Sequence, residues 1–400
     1  MNELTLKMQN EATLQFIREH RLDDVRRLAL QTPTGTEIDR AWALTQIEGR
    51  QLAENKIPTW FLTDKIVYPP TLALEQCSSE ATARYKAQLA SGTSFVDLTG
   101  GFGVDFAFIS KQFQEACYVE KQKELCEISA INFPILGLTS TRIIQADASE
   151  YLKEMAPVDV IFIDPGRRSV SGKKVYSIEE GEPNLLTIQE LLLEKAGSVL
   201  IKLSPMLDLS QALKEIKSVT EVHVVSVDNE CKELLFLLKR NCESEPSITC
   251  VNLSKKRNQP KISFLLSQEK ARQIPYTSEI EQYLYEPNAS LLKAGFYKGL
   301  TELYPLRKLH SDSHLYTSDR FIPDFPGRVF QTEAYTSFNK KELRNFLCRT
   351  EKASLAVRNF PLSVSELHKK LKIKDGGETY LFATTLANGK HILLKNKKIE

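Results

Sequence analysis

One short segment constrains this chain more than any other: FVDLTGGFGVD, residues 95–105. Phe95 and Val96 read as the end of an apolar strand that Asp97 closes. Gly100, Gly101 and Gly103 then turn the chain, and Asp105 opens a helix. Glycine reaches left-handed backbone angles and has no Cβ, so a strand that stops at glycines lets backbone approach a ligand closely. The helix start that follows favours negative ligand groups. The segment predicts an α/β unit with a nucleotide-type cofactor at the carboxyl end of its first strand.

The dinucleotide fingerprint spaces its glycines G-x-G-x-x-G to fit a pyrophosphate. Here the order is G-G-x-G, with Asp97 and Asp105 on either side. Two carboxylates would repel a pyrophosphate and suit a ligand with a cationic amino group. An ordinary tight strand–helix turn would use the same glycines, so the neighbours decide. Ala116–Val119 reads as a second strand ending in Glu120. An acid about 20 residues past a glycine loop is placed to accept both ribose hydroxyls. Arg142–Ala146 ends in Asp147–Ala148, and the apolar run Val158–Ile163 ends in Asp164–Pro165. Open α/β sheets bind ligands outside the carboxyl ends of their strands, where all four acids fall.

Composition bounds the alternatives. Four hundred residues allow two or three domains. A net charge of +2 does not by itself indicate nucleic acid. No apolar run approaches the roughly 18 residues of a membrane span, and no signal-peptide pattern opens the chain. Seven cysteines without a C-x-x-C pair argue against a disulfide framework or a zinc ribbon. The expectation is a cytoplasmic protein with reduced cysteines, Cys117 and Cys126 packing as small hydrophobes, and no metal.

Four regions are expected. Residues 1–68 carry apolar positions at helical intervals, among them Leu14, Ile17, Val25, Leu28, Trp42 and Ile47. Residues 69–245 open at Pro69–Pro70, offer Ser78 and Ser79 as helix N-caps, and then alternate strand and helix, predicting a mostly parallel sheet covered on both faces. Val199–Leu203 is its fifth strand. Val222–Val227 and Glu233–Lys239 lie too close for a crossover helix and fit an antiparallel pair at the sheet edge. Residues 246–327 hold strands at Ile248–Leu253 and Ile262–Leu266, separated by the basic Lys255–Lys256–Arg257, and then a loop-rich stretch from Pro275 to Pro326. Residues 328–400 read as a small α+β domain: strand, helix at Lys340–Cys348, strand, a Ser363-x-x-Glu366 capping box, and a hairpin turning at Asn388–Gly389.

With these residues assembled, the chain resembles bacterial class I S-adenosylmethionine (SAM) methyltransferases that carry a THUMP-like C-terminal domain. The resemblance rests on LEQCSSEATARYKAQL, VDLTGGFGVD, IFIDPGRRSVSGKKVYSIEEGEPNL, YEPNASLLKAGFYKGL and LYTSDRFIPDFPGRVF, which together span most of the chain from Leu74 to Phe330. It implies a Rossmann-like seven-stranded sheet with an antiparallel last strand, and SAM as methyl donor. It also implies RNA (a tRNA or rRNA) as substrate, because THUMP domains accompany RNA modification. The implied cofactor residues are Asp97, Gly100, Gly101, Gly103, Asp105, Glu120, Asp147, Ala148 and Asp164. From Glu351 onward ten Lys and Arg face five Asp and Glu. Such a surface suits phosphates, although a merely soluble lysine-rich face would look the same.

The acceptor is less determined. Amine methyltransferases commonly carry D/N-P-P-Y/F/W at the fourth strand end, whereas this chain has Asp164–Pro165–Gly166–Arg167. No cysteine lies near Asp164 or Ser204–Pro205 in sequence to serve C5-pyrimidine chemistry. Ribose 2′-O-methyltransferases use a Lys-Asp-Lys-Glu set, and Lys86, Asp164, Lys202 and Glu233 resemble it in order and element placement. Lys202 stands out as a charge inside the apolar run VLIKLSP. Pro165, Arg167 and Arg168 are candidate substrate contacts, the arginines through phosphate, with a structural salt bridge as the alternative. His310 and His314, in HSDSH, are expected to serve the loop rather than a metal. A non-catalytic RNA-binding module with a vestigial SAM fold is the alternative to an enzyme, and a nicotinamide oxidoreductase lacks its fingerprint.

Overall fold

The computed structural model describes residues 3–30, 37–167, 178–254, 257, 259–347 and 350–399. Arg168, Lys255, Lys256 and Cys348 therefore lie outside the described residues. The chain divides into two compact units, Met1–Thr220 with Leu235–Ser244, and Glu221–Leu234 with Glu245–Glu400.

The first unit begins with five helices: α1 (Glu3–Met8), α2 (Glu11–His20), α3 (Val25–Leu30), α4 (Arg40–Lys56) and α5 (Pro58–Leu62). Asn10 and Asp39 cap α2 and α4 through their side chains, and Pro58 starts α5 where its missing N–H costs nothing. Next come α6 (Thr71–Gln76) and α7 (Glu80–Ala87), the latter capped by Ser79.

Strands and helices then alternate. They run β1 (Ser94–Asp97), α8 (Val104–Ile109), β2 (Glu115–Glu120), α9 (Lys123–Ile135), β3 (Thr141–Gln145), α10 (Ala148–Glu154), β4 (Val158–Ile163), α11 (Leu185–Lys195), β5 (Ala196–Leu203) and α12 (Leu209–Glu215). β1 lies between β2 and β4, parallel to both, with Asp97 opposite Tyr118 and Phe162. β3 extends the sheet parallel to β2, and β5 parallel to β4. The carboxyl ends of five strands therefore share one edge, and Asp97, Glu120 and Asp164 sit on it.

Beyond β5 come β6 (Val219–Val227), β7 (Glu230–Lys239), β8 (Ser247–Leu253) and β9 (Ile262–Leu265). The sheet order is β9-β8-β6-β7-β5-β4-β1-β2-β3. The β6–β7 hairpin turns at Asp228 and Asn229, both in the left-handed region, as such two-residue turns require. This hairpin is not the edge that the sequence predicts. β8 pairs parallel with β6 from Ser247 to Leu253, and β9 closes antiparallel on β8, so the sheet has nine strands. Apolar Ile248 and Cys250 on β8 are buried, which is why that strand joins the sheet rather than linking domains.

A second sheet lies wholly in the second unit. Its strands are β10 (Tyr283–Pro287), β11 (Tyr316–Ser318), β12 (Gly327–Ser337), β13 (Ser354–Arg358), β14 (Thr379–Thr385) and β15 (His391–Ile399), with the short Arg307–Lys308 pair beside β11. The stretch read as loop-rich thus contributes strands. They are too short to show a period, and β10 pairs antiparallel with both β11 and β12. One face packs Leu284, Phe330, Phe382 and Leu394; the other packs Leu381, Leu393, Leu343 and Leu367. Ser363 and Glu366 form the expected capping box at the helix carrying Leu367.

Two of the three glycines of the turn are required by packing. A Cβ on Gly100 would lie 2.1 Å from the Tyr118 ring, and one on Gly103 would lie 2.8 Å from the Phe133 ring. Gly101 and Gly103 also hold φ of 53° and 82°. Gly100→Ala is therefore expected to cost about 1–3 kcal/mol of stability by overpacking, read from the denaturant midpoint. An unchanged midpoint would show that Tyr118 yields without strain.

Candidate active site

Asp97 ends β1 with 1% of its surface exposed. Its Oδ1 accepts the Thr99 N–H at 2.9 Å, while Oδ2 is buried and has no hydrogen-bond partner among the described residues. Burial, reinforced by the charges of Asp105, Asp164 and Glu120, pushes its carboxyl well above the ordinary carboxylate range. A buried carboxylate oxygen among other acids is electrostatically incomplete, and a cationic ligand group completes it.

Glu120, at the end of β2, is also buried. Its Oε2 accepts the Gly101 N–H at 2.9 Å and its Oε1 the Gln122 N–H at 2.8 Å. The turn is pinned from below by the Tyr118 hydroxyl, which donates to the Gly101 carbonyl at 2.5 Å. On its flank Phe102 packs edge-on against Trp60, with ring centroids 4.8 Å apart, and is itself buried. Asp147 caps α10: its Oδ1 accepts the N–H groups of Ser149 and Glu150. Ala148, the first residue of that helix, is buried.

A second group of charges stands beside the turn. Lys202 Nζ, on β5, donates to Asp164 Oδ2 at 2.5 Å and lies 3.8 Å from Asp105 Oδ2. Lys86 Nζ, on α7 and fully buried, lies 3.1 Å from Asp105 Oδ1 and 3.1 Å from Ser78 Oγ. Ser78 Oγ donates to Asp105 Oδ2 at 2.7 Å. Burial alone would raise the Asp105 carboxyl, but Lys86, Lys202 and Ser78 outweigh it and hold it below the ordinary value. Asp105 thus bridges two lysines, and Lys202 bridges two carboxylates.

The structure brings Lys86, Asp164 and Lys202 together around Asp105. Glu233 is buried on β7, in the part of that strand belonging to the second unit. Pro165 is half-buried beside Asp164, and of Arg167 only the backbone is described, in a two-strand ribbon pairing Gly166–Arg167 with Gly181–Glu182. Sequence reasoning missed three contributors. Ser78 reads as a helix cap, yet Ser79 is the cap and Ser78 turns inward to Asp105. Thr99, inside the turn motif, and Tyr118, inside the second strand, carry no signal of their own.

Cys77 has Lys56, Asp105, Lys202 and Lys86 as its electrostatic neighbours. Burial pushes this thiol up to about 11, and Sγ donates to the Leu74 carbonyl at 3.0 Å, so it is held as a thiol rather than a nucleophilic thiolate. His314 stacks on Tyr297 with ring centroids 3.7 Å apart, and His310 Nδ1 accepts the Asp312 N–H. Among the described residues no group of three or more His, Cys, Asp and Glu is placed to hold a metal ion. Nor is any helix among them long and apolar enough to cross a membrane.

Comparison with known proteins agrees with this geometry. A family model described as protein-L-isoaspartate(D-aspartate) O-methyltransferase matches residues 65–229. A ferredoxin-like domain model matches residues 283–326, and a THUMP domain-like model matches residues 327–397. The crystal structure of a "putative methyltransferase" from Porphyromonas gingivalis W83 shares 36% identity, covers 98% of this chain and 99% of that one, and superposes with a TM-score of 0.87. Partial matches include an rRNA methylase from Streptococcus thermophilus (16% identity, 40% of this chain and 93% of that one, TM-score 0.30). Another is a methyltransferase described in the same guarded terms from Streptococcus mutans, in complex with SAH (16% identity, 40% and 96%, TM-score 0.30). Among curated proteins no relative matches the chain. With a 36% identical relative spanning nearly its whole length, and methyltransferase and THUMP-like segments in order, the chain belongs to the bacterial class I SAM-dependent methyltransferases with a THUMP-like C-terminal domain.

Proposed function

We propose that the protein methylates RNA, with SAM held at the carboxyl ends of β1 to β4 and the acceptor held by Asp164. The contact between Lys202 and Asp164, beside the orphan oxygen of Asp97, carries the reading. When bound, SAM supplies an electrophilic methyl group on a cationic sulfur. The residues present fit it. Asp97 Oδ2 takes the amino group, Glu120 the ribose hydroxyls, and Asp147 with Ala148 the adenine edge; a Cβ on Gly101 would meet nothing closer than the Thr99 carbonyl at 3.9 Å.

On the acceptor side, Lys202 occupies Asp164 Oδ2, which leaves Oδ1 to accept a hydrogen bond. The acceptor must then present an N–H or O–H, as a base amine or a ribose 2′-hydroxyl does. Holding that group in line lowers the barrier by removing orientational freedom. Lys86 acts through Asp105, which it touches. Pro165, Arg167 and Arg168 are assigned to substrate, the guanidinium groups to phosphate. RNA is supported by the THUMP-like match and by the lysines of the C-terminal region, which suit a phosphate backbone.

The test uses radiolabelled SAM and total RNA from cells lacking the protein. Label is expected in RNA with the wild type. Asp164→Asn should lower turnover by about 10²-fold or more, the scale for losing one positioned polar group in an active site, while SAH affinity stays within about threefold. Nucleoside mass spectrometry then names the methylated atom. Label in isoaspartyl peptides instead of RNA would overturn the substrate, and SAH binding with no transfer at all would favour the non-catalytic module.

A further inference from the structure

The strand pairing between β1 and β4 continues one step past the end of β1, and a side chain carries it. In register, Asp97 lies opposite Phe162, and the Leu98 N–H donates to the Phe162 carbonyl at 3.0 Å. The next β4-side donor is the N–H of Asp164. By then the first strand has turned away into its glycines and offers no carbonyl there. Thr99 Oγ1 takes that place, accepting the Asp164 N–H at 2.7 Å. The same residue's N–H donates to Asp97 Oδ1 at 2.9 Å.

We infer that Thr99 is a positioning residue that fixes the donor-side and acceptor-side carboxylates relative to each other. Its N–H occupies one oxygen of Asp97 and leaves the other for the ligand. Its hydroxyl anchors the backbone of Asp164, whose carboxylate reaches Lys202 at 2.5 Å. The two functions separate chemically, because the backbone N–H survives any substitution except proline, whereas the β-hydroxyl survives only substitution by serine. Thr99→Val keeps the side-chain shape and the Asp97 contact but removes the acceptor for Asp164. Thr99→Ser keeps the acceptor and loses only a methyl group. The role in turnover rests on the RNA reading above.

The experiment compares wild type, Thr99→Val and Thr99→Ser in three measurements: SAH affinity by calorimetry, methyl transfer to RNA, and hydrogen exchange of the Asp164 amide. Thr99→Val is expected to bind SAH within about threefold of wild type and to lower kcat about 10- to 100-fold at a similar KM for SAM. Its Asp164 amide should exchange at least about tenfold faster. Thr99→Ser should keep wild-type kcat and wild-type Asp164 amide protection. A Thr99→Val variant with unchanged kcat, or one losing SAH affinity and kcat in parallel, overturns the assignment, as does failure of Thr99→Ser to rescue. If wild type transfers nothing to RNA, the substrate reading fails on its own. Amide exchange then decides Thr99, and unaltered Asp164 protection in Thr99→Val overturns it.

Discussion

Lys86→Met is expected to lower the unfolding free energy by about 3–5 kcal/mol, the usual cost of stripping one partner from a buried ion pair. The side chain is fully buried, and its ammonium lies within 3.1 Å of both Asp105 and Ser78. Methionine fills much of the same volume, so the loss is electrostatic: Asp105 would keep only Lys202, at 3.8 Å, and the Ser78 hydroxyl. Asp105→Asn in the same chain removes the stranded charge and should recover most of the loss. The pair of single variants and the double variant form a cycle whose coupling isolates the contact.

The pH dependence follows from the lowered carboxyl of Asp105. A carboxylate held below its ordinary value of 3.8 contributes stability above that pH and loses it as pH falls towards the folded value. Wild type should therefore lose this contribution in acid below about pH 4, and Lys86→Met should show little of that loss. Denaturant melts at several pH values measure both. A Lys86→Met variant as stable as wild type would mean that Asp105 is solvated.

Much of this site is legible in the sequence because each acid directly follows an apolar run. Asp97, Glu120 and Asp164 announce themselves as strand ends, and parallel pairing brings strand ends to one edge whatever lies between. The order and approximate bounds of β1 to β7 follow from the same alternation. What a one-dimensional pattern cannot carry is the direction of a side chain from a helix. Lys86 sits in RYKAQL, where its order in a Lys-Asp-Lys-Glu set is legible but its full burial against Asp105 is not. Ser78 and Ser79 are equal as caps in sequence and divide their roles only in space. The fate of β8 and β9 was hidden for a similar reason, since their pairing partner β6 is set by the buried face and not by chain neighbours. The turn glycines give a subtler case. They read as room for a ligand, whereas Gly100 and Gly103 make room for the rings of Tyr118 and Phe133.

Asp97→Asn should separate stability from ligand affinity. In the free protein this carboxyl is buried beside three other acids, and its pKa is raised. As pH rises from the ordinary value of 3.8 towards the raised folded value, the unfolded chain releases a proton that the folded one retains, so stability falls through that window. Above that raised folded value the full cost is present. Asparagine can still accept the Thr99 N–H and carries no charge, so the ligand-free variant should be more stable by about 1–3 kcal/mol, the desolvation penalty of an unpartnered buried group. No such gain should remain below about pH 4, where the wild-type carboxyl is protonated in both states. The ligand sees the opposite. A charge-assisted hydrogen bond contributes about 1.5–3 kcal/mol, so SAH affinity should fall roughly 10- to 150-fold. Wild-type affinity for SAH should rise with pH as Asp97 ionises, and the variant's should stay flat over the same range. Thermal melts with and without SAH give both halves of the result: a higher melting temperature for the ligand-free variant, and a ligand-induced rise that shrinks or vanishes. A variant that melts lower and still binds would show that the orphan oxygen of Asp97 serves the fold, not the donor.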